Sequence, residues 1–316
     1  MKDDHLVSVL MPAFNAEKFI AEAIKSILNQ KYSNWELLIL DDASTDSTAA
    51  IIGSFQDKRI KVFSHTENRG YLDSCNELFH KARGTFITFL DADDYCIPNR
   101  LSSCFEQFEL NQKLDFLTTD YVRISETGEL VSENHISIDY GRYATDPKYY
   151  PTICCATIFL RKELLAKVGG YRPLFKEIGG EDYYWVWELS RAGIGHHLPE
   201  LLYHYRFHPT QASVAHKKDL SLFLPELIEQ LKIAFQEVQW EEPKAEMISK
   251  NVRELYVQSP FQLHLRKAQQ SINRPEVPFW NHAVKCFIQV RKHEELTSFV
   301  YLIYSWGAKR IKSAAQ

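Results

Sequence analysis

Four times within its first hundred residues this chain pairs a short apolar run with polar residues and then a helix-spaced apolar face. Leu6-Val7-Ser8-Val9-Leu10-Met11, stopped by Pro12, reads as a buried strand. Phe19, Ile20, Ala23, Ile24, Ile27 and Leu28 then share one face of a helix over about 16–30, with Asn15 as candidate N-cap. Residues 37–40 form a second strand ending in Asp41-Asp42, and Ser44-Thr45-Asp46-Ser47 supplies caps for a helix through Ile51-Ile52. Residues 60–63 and 71–83 repeat the pair. Residues 85–90 are a fourth strand, closed by Asp91-Ala92-Asp93-Asp94, and Pro98 falls where the next helix should make its first turn. Such an order requires an α/β fold: a mostly parallel sheet with helices on both faces. Ligands of these sheets bind beyond the carboxyl ends of the strands. Pro12-Ala13-Phe14-Asn15, Asp41-Asp42 and the Asp91 cluster all open on that edge.

The pattern weakens from 120 to 150, where Glu126-Thr127-Gly128 reads as a hairpin turn and 139–151 as a Tyr-rich loop. Residues 153–160 read as a strand and 161–168 as a short helix. Gly179-Gly180-Glu181-Asp182 precedes an aromatic helix from 183 to about 192, and 198–206 reads as a last strand. Beyond 216 the spacing is helical throughout: 219–238, 244–257, 261–271 and 278–291, punctuated by five prolines. Charge divides at the same point. Residues 1–215 hold 22 basic and 30 acidic residues, whereas 216–316 hold 15 and 11. We therefore expect two parts, 1–215 and a helical C-terminal region over 216–316.

An overall net charge of −4 argues against a nucleic-acid binder. The first residues lack the basic and apolar regions of a signal peptide, and no run approaches the ~18 apolar residues of a membrane span. The six cysteines show no C-x-x-C spacing, which fits reduced thiols in a cytoplasmic protein.

Each polar cluster has a plain reading and a chemical one. Asp91-x-Asp93 can cap the next helix, or hold Mg²⁺ or Mn²⁺, which favour oxygen ligands and share them with substrate phosphates. A third carboxylate, Asp94, adds repulsion that a cation would relieve. Asp41-Asp42 is a polar strand exit, or a contact for ribose hydroxyls and base N–H groups. Glu181-Asp182 suits a helix N-terminus as a dipole-stabilising pair, and His208 on its own is an ordinary histidine.

Taken in order, the pieces resemble a known family. Val7-Ser8-Val9-Leu10-Met11-Pro12-Ala13-Phe14-Asn15, Leu40-Asp41-Asp42-Ala43-Ser44-Thr45-Asp46, Asn68-Arg69-Gly70 with Asn76, Phe89-Leu90-Asp91-Ala92-Asp93-Asp94 and Gly180-Glu181-Asp182 are similar to the motifs of family 2 glycosyltransferases of the GT-A fold. Tyr205-Arg206-Phe207-His208-Pro209 is similar to the Arg-x-His element that closes that domain. The resemblance covers roughly residues 5–215. It implies inverting transfer of a sugar from a nucleotide-sugar donor, a UDP-sugar first and a dTDP-sugar next. The acceptor it implies is a hydroxyl of a glycan or lipid-linked glycan in cell-surface polysaccharide synthesis. It assigns Pro12, Phe14, Asn15, Asp41, Asp42, Asn76, Asp91 and Ala92 to the nucleotide. Asp93, with Asp91, would hold Mn²⁺ or Mg²⁺, and His208 completes that site in some members. Asp182 matches the catalytic base and Glu181 its companion.

Two departures stand out. Many members carry Ala-Arg-Asn where this chain has Ser74-Cys75-Asn76, so a basic side chain is missing and Asp73 cannot replace it. The Gln-x-x-Arg-Trp element of processive synthases is also absent, which argues for single additions. The competing readings are a sugar-phosphate nucleotidyltransferase, disfavoured by the lack of a Gly- and Arg/Lys-rich loop after the first strand, and an inactive nucleotide-sugar-binding protein. At the C-terminus, Phe299-Val300-Tyr301-Leu302-Ile303-Tyr304-Ser305-Trp306 precedes Lys309-Arg310-Ile311-Lys312. That segment suits a helix packed on the catalytic domain, a homodimer contact, or a peripheral contact with the inner face of the cell membrane.

Overall fold

The computed structural model describes residues 5–176, 178–211, 224–236 and 238–258, with isolated helical positions at 265, 283, 295, 298 and 303. The chain separates into two compact units, Met1–His216 and Lys217–Gln316.

The first unit alternates as its apolar pattern requires. Strands β1 (Val7–Ala13), β2 (Trp35–Asp41), β3 (Ile60–Ser64) and β4 (Phe86–Phe89) are interleaved with helices α1 (Ile20–Leu28), α2 (Thr48–Gly53) and α3 (Tyr71–Lys81). There follow β5 (Tyr95–Cys96), α4 (Arg100–Leu110), β6 (Phe116–Ile124), β7 (Leu130–Asn134) and α5 (Tyr140–Thr145). Strand β8 (Phe159–Arg161), α6 (Lys162–Val168), α7 (Glu181–Ala192) and β9 (Gly195–Arg206) complete it. Among the described residues one sheet runs β3-β2-β1-β4-β8-β6-β9-β5, with β7 also on β6. Strands β3, β2, β1 and β4 are mutually parallel, and β6 and β9 share their direction across the antiparallel β8. Every residue of β1 and β2 is buried, which is why both read as continuous apolar runs.

Several sequence expectations need correction. Pro12 does not end β1, which continues to Ala13. Its neighbour β4 pairs only as far as Leu10, so the missing N–H of Pro12 falls past the ladder. Asn15 is not the cap of α1, which starts at Ile20 behind Phe19. Pro98 lies ahead of α4, which begins at Arg100. Strand β6 was not expected at all. The expected strand over 153–160 is a single 3-10 turn, Cys155–Thr157, followed by the short β8. The Tyr-rich stretch after 139 holds helix α5, where the Asp139 carboxylate accepts from the Arg142 N–H at 2.9 Å.

An aromatic cluster sets α7 in place. Trp185 packs with its ring centroid 5.4 Å from Phe79 of α3 and 5.1 Å from Tyr171, and donates its indole N–H to the Gly169 carbonyl at 2.9 Å. Packing of this kind fixes where the start of α7 lies relative to the strand ends.

In the second unit, α8 (Leu224–Phe235) and α9 (Glu242–Gln258) occupy the first two expected helices, with Leu227, Ile228, Leu231 and Phe235 buried along one stripe of α8. The helices expected at 261–271 and 278–291 and the aromatic-basic terminal segment lie outside the described residues, isolated positions apart. Among the described residues no helix is long and apolar enough to cross a membrane, and Cys75, Cys96, Cys104, Cys154 and Cys155 are free.

Candidate active site

The exits of β1 and β2 are cross-linked. Asp42 donates its N–H to the Ala13 carbonyl at 2.8 Å. Asn15, at φ +48°, accepts on its Oδ1 from the Thr45 N–H at 2.9 Å, while its own N–H goes to Ser44 Oγ at 2.9 Å. Ala43 is also left-handed, at φ +59°. For an alanine that conformation costs roughly 1–2 kcal/mol, a strain held at a strand exit by its neighbours. Phe14 is half exposed, at 48%.

Asp41 and Asp42 are both buried. Asp41 accepts from the Ser44 N–H at 3.1 Å. Asp42 accepts from the N–H groups of Arg69 (2.9 Å) and Gly70 (2.7 Å) and pairs with His65 Nδ1 at 2.6 Å. Its carboxylate therefore builds the turn that starts α3. Asn76 gives both polar ends of its side chain to the backbone of Tyr171, donating to its carbonyl at 2.9 Å and accepting from its N–H at 2.8 Å. That makes it a strut between α3 and the approach to α7. Neither role was visible in the sequence, where both residues were expected at the nucleotide.

The turn after β4 carries three carboxylates with different surroundings. Asp94 is buried and faces β9, accepting from Tyr203 Oη at 2.7 Å and from the Arg206 N–H at 2.7 Å. Ala92 is buried between the other two. Asp91 accepts from Tyr71 Oη at 3.1 Å. Burial, then the charge of Asp93, pushes the Asp91 carboxyl up to about 7. Asp93 Oδ2 lies 2.9 Å from His208 Nε2. The His208 ring is oriented from behind by Thr210 Oγ1, 3.0 Å from Nδ1. Arg206 clamps this turn by donating Nε–H to the Asp93 carbonyl at 2.9 Å.

Glu181 and Asp182 open α7 behind Gly180, whose φ of +85° only glycine adopts readily. Asp182 Oδ1 accepts from the Tyr183 N–H at 2.8 Å. Burial raises the Asp182 carboxyl to about 6. Burial, then the charge of Asp182, raises Glu181 to about 8. The charge of Asp182 also adds to the upward push on Asp91, so the two motifs face one site.

The structure pairs Asp93 with His208 and sets Asp91 within reach of the charges of Glu181 and Asp182. Sequence reasoning missed Tyr71, Tyr203 and the clamp role of Arg206. Nothing in spacing marks a tyrosine as a partner of a carboxylate 20 or 109 residues away. The donor set fits a hard divalent cation: two acidic side chains whose mutual repulsion is unrelieved, with an imidazole on one of them. Among the described residues no three His, Cys, Asp or Glu side chains form a ready metal cage.

Known proteins share this sequence pattern and this fold. The sequence model described as "Glycosyl transferase family 2" matches residues 8–169. Over 189 residues, 58% of this chain and 68% of the relative, the sequence is 34% identical to the Escherichia coli UDP-Glc:alpha-D-GlcNAc-diphosphoundecaprenol beta-1,3-glucosyltransferase WfgD. The fold is similar to S. aureus TarS 1-349 in complex with UDP-GlcNAc, with TM-score 0.62, 17% identity and 98% and 92% of the two chains covered. It is also similar to the mannosyltransferase PcManGT from Pyrobaculum calidifontis in complex with GDP-Man and Mn²⁺, with TM-score 0.55, 16% identity and 97% and 87% covered. The α/β architecture with its mostly parallel sheet is that of the GT-A fold.

Proposed function

This chain belongs to glycosyl transferase family 2 and is a glycosyltransferase, and from that premise we propose a metal-dependent, inverting transfer from a nucleotide-sugar to a hydroxyl of a glycan or lipid-linked glycan. The observations that support this reading are the raised carboxyls of Asp91, after β4, and of Glu181 and Asp182, at the start of α7, which push on one another by charge, and the imidazole of His208 on Asp93. Family membership sets aside the nucleotidyltransferase alternative.

Asp182 is the base. Its carboxylate takes the proton of the acceptor hydroxyl as that oxygen bonds to the anomeric carbon. The bond from that carbon to the diphosphate oxygen breaks in the same displacement, which inverts the centre. General-base help of this kind contributes typically ~10²–10⁴-fold. Glu181, also raised by burial and by the charge of Asp182, is its companion. Asp93, Asp91 and His208 would hold Mn²⁺ or Mg²⁺, which when bound neutralises the departing diphosphate as a Lewis acid. Phe14 offers a ring face to the base, and Asn15 and Asp41 line the same exit.

A UDP-sugar is the favoured donor and a dTDP-sugar the next. The name of the E. coli relative couples UDP-Glc with a diphosphoundecaprenol acceptor, which supports a lipid-linked acceptor and a role in cell-surface polysaccharide synthesis. A lipid-linked acceptor would also bring this chain to a membrane surface. The test is nucleotide release from UDP-, dTDP- and GDP-sugars, with lipid-linked glycan present, in Mn²⁺ and in EDTA. We expect release from one donor class that EDTA abolishes. Release undiminished in EDTA removes the metal from the mechanism, and no release from any donor favours an inactive binding protein.

A further inference from the structure

Arg123 is the last residue but one of β6, at the carboxyl edge of the sheet. It pairs in register with Tyr205 of β9. Tyr205 Oη accepts from Gln211 Nε2 at 2.8 Å, and Gln211 Oε1 accepts from the His208 N–H at 2.7 Å. The Arg123 guanidinium lies over the ring of Phe207, 4.3 Å from its centroid, and Phe207 is 41% exposed. Arg123 therefore flanks the loop that sets His208 on Asp93.

The same strand leads back to the proposed base. Tyr121 stands two residues earlier, on the face of β6 that carries Arg123. Burial, then its neighbour Cys154, pushes the Tyr121 hydroxyl up to about 12, and the Arg123 charge pulls against them. Burial, then Asp94, Asp91 and Asp182, raises the Cys154 thiol in turn. Tyr121 and Cys154 thus connect Arg123 to Asp182.

The charge of Arg123 has no counter-charge from the chain. The residue is half-buried, and its Nε is enclosed without a hydrogen-bond partner. Among the described residues no carboxylate pairs with it and no acceptor takes its N–H groups. Arg206 shows the contrast, with its donors spent on the Asp93 and Glu126 carbonyls and on Glu22. A guanidinium left unpaired out of bulk water costs stability unless an anion joins it. Held flat on an aromatic ring, it is suited to the oxygens of a phosphate.

Position decides whose phosphate this is. The exits of β1 and β2, which carry Phe14, Asn15 and Asp41, lie on one side of β4 in the sheet, and β8 and β6 lie on the other. Arg123 therefore belongs to the half of the edge away from the nucleotide residues. A lipid-linked sugar carries its phosphate between sugar and lipid, so a hydroxyl at Asp182 and a phosphate at Arg123 would anchor one acceptor at two points.

We propose that Arg123 is an acceptor-binding residue whose guanidinium, stacked on Phe207, binds the phosphate that joins the acceptor sugar to its lipid. This rests on the glycosyltransferase reading above, and the test separates the two. The full chain is first saturated with Mn²⁺ and whichever of UDP, dTDP and GDP binds tightest, so that the donor site is filled. Farnesyl diphosphate is then titrated in by calorimetry, with farnesol as the uncharged control. Wild type should bind the diphosphate more tightly than farnesol. Arg123→Gln should weaken the diphosphate about ten-fold or more, the loss of a charge-assisted bond, and leave nucleotide affinity unchanged. Arg123→Lys, which keeps the charge, should retain part of the difference. Melting temperatures confirm that each variant is folded. Equal binding of the two probes by wild type overturns the proposal, as does unchanged diphosphate affinity in Arg123→Gln. If Arg123→Gln weakens the nucleotide instead, the phosphate is the donor's and the acceptor role fails. If wild type binds none of the three nucleotides, the failure lies with the glycosyltransferase reading.

Discussion

The two ends of one sheet treat carboxylates in opposite ways. At the amino ends of the strands, Glu36 of β2 is buried and fully partnered. It accepts from Ser8 Oγ (2.7 Å), the Arg83 N–H (2.8 Å) and Lys61 Nζ (2.8 Å), and from the Arg83 guanidinium at 3.0 Å. Burial alone would raise it, yet the bonds from Lys61, Ser8 and Arg83 hold it down at about 2. At the carboxyl ends, Asp91, Asp182 and Glu181 are raised to about 7, 6 and 8. At Glu36 the donors outweigh the cost of burial, whereas the Tyr71 hydroxyl on Asp91 and the Tyr183 N–H on Asp182 do not. The first arrangement stabilises the fold. The second costs stability and is the signature of a site that substrate and cation complete.

The contrast can be broken most sharply at Asp182. Asp182→Asn should lower transfer about 10²–10⁴-fold with nucleotide affinity retained. It should also raise the melting temperature at neutral pH, because it removes a buried charge held above its ordinary pKa. If Glu181→Gln is the dead variant instead, the roles of the pair are reversed.

Glu36→Gln should do the opposite. We expect a loss of roughly 1–3 kcal/mol in stability with turnover per folded molecule unchanged, checked by urea unfolding alongside an assay. The sign with pH follows from the depressed value. The advantage of wild type is full above the ordinary value of 4.5 and fades as pH falls toward 2. A gap that persists at pH 2 would mean packing, not charge, explains the difference.

A smaller effect is expected in the pH–rate profile. With Asp182 raised to about 6, kcat/KM should fall about ten-fold per pH unit below that value, since the base must be ionised. A flat profile down to pH 5 would remove Asp182 as the base. The smallest effect should be that of His208→Ala. It should weaken apparent Mn²⁺ affinity several-fold, because the imidazole sits on Asp93. Unchanged metal affinity with a raised acceptor KM would move His208 to the acceptor rim.

Legibility in the sequence followed the same division. The amino-terminal half was readable because β1, β2 and β4 are buried on both faces and leave near-continuous apolar runs. Strand β6 was hidden because it carries Thr118, Thr119 and Asp120 into the interior, where Asp120 accepts from the Ile136 N–H and pairs with His135 and His197. Buried polar residues with distant partners erase a hydrophobic pattern. Residues 153–160 erred the other way. They are apolar enough for a strand, but Thr157 Oγ1 turns back to the Cys154 carbonyl and the Ala156 carbonyl is taken by Arg100, which favours the 3-10 turn. Of the site, the carboxylates and His208 came from ordered motifs. The strut role of Asn76 and the commitment of Asp42 to the turn before α3 depend on partners that spacing does not encode.

Asp91, Asp182 and Glu181 are held above the ordinary carboxyl range and Glu36 below it. Titration of ¹³C-labelled Asp and Glu carboxyls by NMR, assigned with Asp182→Asn and Glu36→Gln, tests it directly. A midpoint near 6 is expected for Asp182 and near 2 for Glu36. Two midpoints close together near 4, the ordinary value for exposed acids, would contradict it.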